Sequence, residues 1–136
     1  FGTDINEDAI NEIWVKVNPY IGPAGGAKEH FVYVFTDCVL QVITDSATST
    51  PVSFYRGNTV SGETYYINCE THEGESLLVY HEDYRIGEPE DFVWAFVPTA
   101  LRLTGTSVEE VVSSAFEDDI APAPDPLPTD NCPKYS

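Results

Sequence analysis

Phe31-Val-Tyr-Val-Phe35, Val39-Leu-Gln-Val-Ile43, Thr64-Tyr-Tyr-Ile-Asn68, Ser76-Leu-Leu-Val-Tyr80 and Phe92-Val-Trp-Ala-Phe-Val97 are β-branched and aromatic runs that follow one another between His30 and Leu103. Each has the length and composition of a strand, and Gly, Pro, Asn and Asp punctuate the gaps. Turns are expected at Asp45 to Pro51, Arg56 to Thr59, Glu70 to Glu75 and Ile86 to Pro89. Short, regularly spaced strands of this kind predict an all-β antiparallel sandwich. Several runs are apolar at successive positions, so both faces of those strands expect cover, from a loop, a helix or another subunit.

Outward from this block the period changes at both ends. Asp4 and Glu7 are spaced like a cap and its partner, and Ile10, Ile13, Trp14 and Val17 recur at helical spacing, which predicts a short N-terminal helix handing over to a strand near Trp14. The face made by Ile10, Ile13 and Trp14 is expected to be buried against the sandwich or a second subunit. After Gly105, Ser107 and Glu110 form a capping-box pattern, and Val108, Val111, Val112, Ala115 and Phe116 fall on one helical stripe. A C-terminal amphipathic helix is therefore expected. Residues 1–117 read as a single domain, and residues 118–136 as an acidic, Pro-rich tail or arm.

The chain has 136 residues, enough to bury roughly two thirds of its unfolded surface in one core. Acidic residues outnumber basic ones 23 to 6, a formal charge of -17, which repels nucleic acid and anionic membranes. No segment approaches the roughly 20 consecutive apolar residues that a membrane helix needs. Methionine is absent even at position 1, as expected of a secreted chain after removal of a signal peptide, or of a tag. Cys38 and Cys69 stand at strand edges, where an oxidising compartment would allow a bridge between them. Cys132, in the tail, makes the count odd. It leaves a free thiol, an intermolecular bridge, or a tail pinned inward.

Catalytic and metal patterns are not found. There is no Gly-x-Ser-x-Gly elbow, His72 has no second histidine four residues on, and the many carboxylates pair at catalytic separation by chance alone. A non-enzymatic protein is expected, without a cofactor. If the chain took a metal it would be calcium, on the loop carboxylates Glu88, Glu90 and Asp91. Eight tyrosines, seven phenylalanines and two tryptophans offer another kind of chemistry. Sugars stack their apolar ring faces on exposed aromatics while carboxylates and amides hold the hydroxyls. Tyr20, Tyr55 and Tyr84, with Asp83, are the candidate ligand-binding residues.

Over about residues 9 to 97, and from Gln41 to Val97 above all, the chain resembles the fungal immunomodulatory protein family. The resemblance rests on Val42-Ile-Thr-Asp45 with Ala47, on Thr64-Tyr65 and Ile67, on Leu78-Val-Tyr80 with Tyr84 and Ile86, and on an N-terminal stretch leading into Trp14-Val-Lys16. It implies an immunoglobulin or fibronectin-III-like sandwich, a dimer made through the N-terminal helix, and binding to glycans or cell-surface glycoproteins. Gly22-Pro-Ala-Gly-Gly26 departs from the family's tryptophan-containing loop, and the cysteines and the segment after Gly105 depart from it too. The alternative is a structural subunit of a virion or extracellular filament, assembled through its termini.

Overall fold

The fold is seen in a computed structural model, which describes residues 2–5, 12–18, 27–59, 62–88, 91–124 and 126–132. Among the described residues there are twelve strands: β1 (Gly2–Thr3), β2 (Glu12–Asn18), β3 (Lys28–Thr36), β4 (Val39–Val42), β5 (Thr44–Asp45), β6 (Ser53–Asn58), β7 (Glu63–His72), β8 (Glu75–Ile86), β9 (Val93–Phe96), β10 (Pro98–Thr104), β11 (Ser107–Glu110) and β12 (Asp119–Ala121). A single 3-10 turn, Ser114–Phe116, is the helical element among the described residues. The chain is all-β.

The strands join in one curled mixed sheet, ordered β1-β2-β3-β6-β7-β8-β10-β11-β5, with β4 on β3 and β9 linking β8 to β12. The expected sandwich has two separate sheets, whereas here β6 passes from one half to the other. The curl returns on itself at residues 39–45. β4 pairs with β3, the Ile43 N–H donates to the Val32 carbonyl at 2.8 Å, and β5 then runs parallel to β11. Alternation along the strands sends Trp14, Val32, Val34, Phe54, Ile67, Leu78 and Val108 into the enclosed core. The opposite side chains of β8 and β10, Leu77, Val79 and Ala100, form a second cluster under Val111 and Phe116.

The expected C-terminal helix needs correction, and most of the expected N-terminal one lies outside the described residues. Residues 6–11, including Ile10, lie outside the described residues, but Ile13 and Trp14 stand in β2, paired with Tyr33 and Val32. At the other end, residues 107–110 are a strand hairpinned onto β10 through Gly105, whose φ of 61° suits the turn. Val108 enters the enclosed core and Val111 the second cluster, while Val112 is 90% exposed, so the helical stripe is not used. Consecutive β-branched valines favour extended backbone, and tertiary pairing with β10 decides the matter.

The disulfide also differs from expectation. Cys69 bridges Cys132, and Cys38, at the exposed tip of the β3–β4 hairpin, is free. The reason lies in the β6–β7 pair, which hydrogen-bonds only through Gly57 with Tyr65 and Asn58 with Thr64. Beyond Tyr65 the edge of β7 opens, and the tail fills it. Ile67 N–H donates to Asp130 Oδ1 at 2.9 Å, Asn131 N–H to the Ile67 carbonyl at 3.1 Å, and Cys69 N–H to Asn131 Oδ1 at 2.8 Å. Residues 130–132 thus satisfy a strand edge that would otherwise stay unpaired. The segment expected to trail as a tail or arm is a strap, held at one point by β12 on β9 and at another by this plug.

Candidate binding face

β7 carries two adjacent tyrosines, and alternation must send them to opposite faces. Tyr66 is buried against β8 and Tyr65 is half-buried, with its ring 5.5 Å from that of Tyr55. Tyr65 stands directly across from Glu82 on β8, and Glu63 directly across from Tyr84. Directly paired residues share a face, so Tyr65, Glu63, Glu82 and Tyr84 lie together and the Tyr65–Tyr55 contact extends the row to β6. Burial, then the Glu63 and Glu82 charges and Tyr55, push the Tyr65 phenol above its ordinary pKa. Its hydroxyl therefore stays protonated at neutral pH and can both donate and accept.

The face continues outward along β9 and β12. Ala95 pairs with Tyr84 on one side and Ile120 on the other, and Ile86 pairs with Val93. Tyr84, Ile86, Val93 and Ile120 are all exposed, Ile120 at 61%. A depression of about 410 Å³ opens here between Tyr84, Ile86, Phe96 and Ile120, with Asp118 and Asp119 at its rim. Flat aromatic and aliphatic surface edged by carboxylates can stack the apolar face of a ring and accept hydrogen bonds from hydroxyl groups around it. The same carboxylates repel anions.

Of the candidate ligand residues, Tyr55 and Tyr84 are thus brought onto one face, with Tyr65 joining them. Tyr65 was not singled out from sequence, although the Tyr65-Tyr66 doublet in a strand signals that one ring points each way. Tyr20 lies outside the described residues. Asp83 is not on the face. It is fully buried, two residues along from His81 in the alternation of Leu77 and Val79, and all its partners are internal. The Tyr66 hydroxyl donates to Oδ2 at 2.6 Å, Val97 N–H donates to Oδ1 at 2.9 Å, and His81 Nδ1 lies 3.3 Å from Oδ1. Burial opposes ionisation of Asp83, but the bonds from His81, Tyr66 and Val97 N–H hold the carboxyl below its usual range. The same burial, with the Asp83 bond, raises the Tyr66 phenol.

This His–Asp pair orients an imidazole as a catalytic dyad would. The Tyr66 ring stacks on His81 with centroids 4.4 Å apart, and the far nitrogen of His81 meets the Asn68 amide at 3.5 Å, where a nucleophile would be needed. Of the calcium candidates, Glu90 lies outside the described residues, and Glu88 accepts the Asp91 N–H through its main-chain carbonyl in a turn. No cluster of three metal-ligating side chains is found among the described residues. Of the assembly candidates, Trp14 is a core residue, 4% exposed, with its ring tilted on Phe54 and the Arg56 guanidinium 4.5 Å above it. Ile13, its neighbour, points outward and is 43% exposed.

Comparison with protein-family models, curated proteins and solved structures finds no match to this chain.

Proposed function

We propose that this protein is a non-enzymatic extracellular binding protein that takes neutral glycans, free or on glycoproteins, along the face from Tyr55 through Tyr65 to Tyr84. The observation that carries the reading is the row itself: aromatic rings interleaved with Glu63 and Glu82, opening into the depression beside Ile86 and Ile120. A hexose offers one apolar ring face and a girdle of hydroxyl donors, which is what such a surface accepts. Acidic glycans are disfavoured by the carboxylates and by the overall charge of -17. The Cys69–Cys132 disulfide is compatible with an oxidising, extracellular setting. The resemblance to the fungal immunomodulatory family points to the same class of activity, cell-surface binding without chemistry.

The test is a glycan array on the full chain, repeated with Tyr84→Ala and Tyr65→Ala. Neutral glycans are expected to bind and sialylated ones to be rejected. Loss of a stacking ring is expected to weaken binding about tenfold, on the order of 1.4 kcal/mol, with little change in melting temperature for the exposed Tyr84. An array without a bound glycan, or binding indifferent to both substitutions, would overturn the reading.

A further inference from the structure

The outer side of β2, β3 and β4 holds a second surface with different chemistry. Ile13 pairs across from Tyr33, Val15 from Phe31, and Leu40 from Phe35, so these six side chains share one face, opposite the buried Trp14, Val32 and Val34. Ile13, Val15, Phe35 and Leu40 are 43%, 42%, 52% and 48% exposed, and Phe31 and Tyr33 are half-buried. At on the order of 60–100 Å² apiece they present roughly 500 Å² of continuous apolar surface, near the upper end of what a soluble monomer shows. None of the six is charged, in a chain whose formal charge is -17.

We infer that this face docks a second copy of the same chain, in a two-fold pair that buries β2–β3–β4 of each protomer against the other. Area favours a copy: with a polar rim, roughly 500 Å² approaches the ~800 Å² per partner of a standard interface. Charge favours it as well. A basic partner would seek carboxylates, which these six positions lack, while two acidic chains can approach closely only where neither presents charge. A self-complementary patch used by both protomers closes the assembly at two. Along β3 and β6 the same face runs on through Ser53, across from Phe31, to Tyr55, across from Glu29, so the apolar patch borders the tyrosine row at Tyr55 while Phe35 and Leu40 stand at its far end.

Sedimentation velocity on the full chain tests this, from about 1 to 100 µM protein and from about 50 mM to 1 M salt. The expected species has twice the 15.0 kDa chain mass. Its fraction should rise with salt, because screening removes the repulsion between acidic chains and strengthens apolar burial. Phe35→Glu and Val15→Glu, made separately, are expected to weaken the pair about tenfold or more while the melting temperature holds. If either variant misfolds, a spin label on the free Cys38 of the otherwise unchanged chain reads the same question, since the pair gives one inter-protomer distance and a monomer none. A monomer across the whole range, a pair that survives both substitutions, dissociation by salt, or open-ended polymers would each overturn the inference. Phe35→Glu should leave the affinity for a monovalent glycan unchanged and abolish only agglutination, so failure here is distinguishable from failure of the glycan reading.

Discussion

Arg56 and Asp130 form an ion pair that links the middle of the chain to its last residues, with side chains 11% and 16% exposed. The guanidinium also lies over the Trp14 ring, and the Asp130 carboxylate also accepts the Ile67 N–H. Burial lowers the Arg56 pKa to about 10, which leaves it charged at neutral pH. One contact thereby connects β2, β6, β7 and the strap. Asp130→Ala removes the acceptor for a buried cation and for a main-chain donor at once, and is expected to destabilise the fold by about 3 kcal/mol. Urea unfolding of the variant checks this, and a loss below about 1 kcal/mol would show that the strap is not held by this pair.

The Cys69–Cys132 bridge closes a loop of sequence separation 63. Chain-entropy arguments assign a loop of that length about 4 kcal/mol, within a range of 2–5 for native disulfides. Cys132→Ser should therefore lower the unfolding free energy measured in urea by that amount, and reductant should do the same to the wild type and nothing to the variant. Intact-mass mapping is expected to place the free thiol on Cys38. Because Asp130 and Cys132 fasten the same strap, Asp130→Ala and Cys132→Ser together should cost less than the sum of the two.

The strands that periodicity exposes from sequence are those bounded by strong turns: the runs at 31–35, 39–43, 64–68, 76–80 and 92–97 all lie on observed strands or extend them by a residue at one or both ends. Local composition decides such segments. What sequence did not reveal depends on partners far along the chain. Val108 and Val111 satisfy a helical stripe and a strand equally well, and only the β10 edge beside them settles it. Cys132 was one of three thiols until the open edge of β7 supplied a seat for the strap. On the candidate face, Tyr55 and Tyr84 were readable as aromatics near turns, whereas Asp83, in an acidic run beside Tyr84, looked equally exposed. Its burial follows from the registry of β8 against β7 and the Val97 N–H, which no single strand encodes.

Val108 and Val112 provide a direct test of strand against helix. On a helix the two valines would lie on one stripe and respond alike to truncation. In the fold Val108 is 2% exposed and Val112 is 90% exposed. Val108→Ala is expected to cost about 2 kcal/mol through lost burial and a residual cavity, and Val112→Ala within about 0.5 kcal/mol of nothing. Equal losses at the two positions, measured by thermal or urea unfolding, would contradict the β11 assignment.

Asp83 makes a pH-dependent contribution whose sign follows from its lowered folded-state pKa. At neutral pH the carboxylate is ionised in both the folded and unfolded chain, and its bonds from Tyr66, Val97 N–H and His81 stabilise the fold in full. As pH falls the unfolded chain takes up the proton first, near about pH 4, and the contribution declines until the folded carboxyl also protonates. Asp83→Asn keeps the shape, cannot ionise, and leaves at least one of these three donors facing an amide N–H₂. A loss of about 2–3 kcal/mol is expected at pH 7. The gap between wild type and variant should then narrow steadily from about pH 5 downward, because only the wild type has a charge to lose. Urea unfolding of both proteins at several pH values measures the gap, and one that stays constant or widens on acidification would show that Asp83 is not held as a carboxylate in the fold.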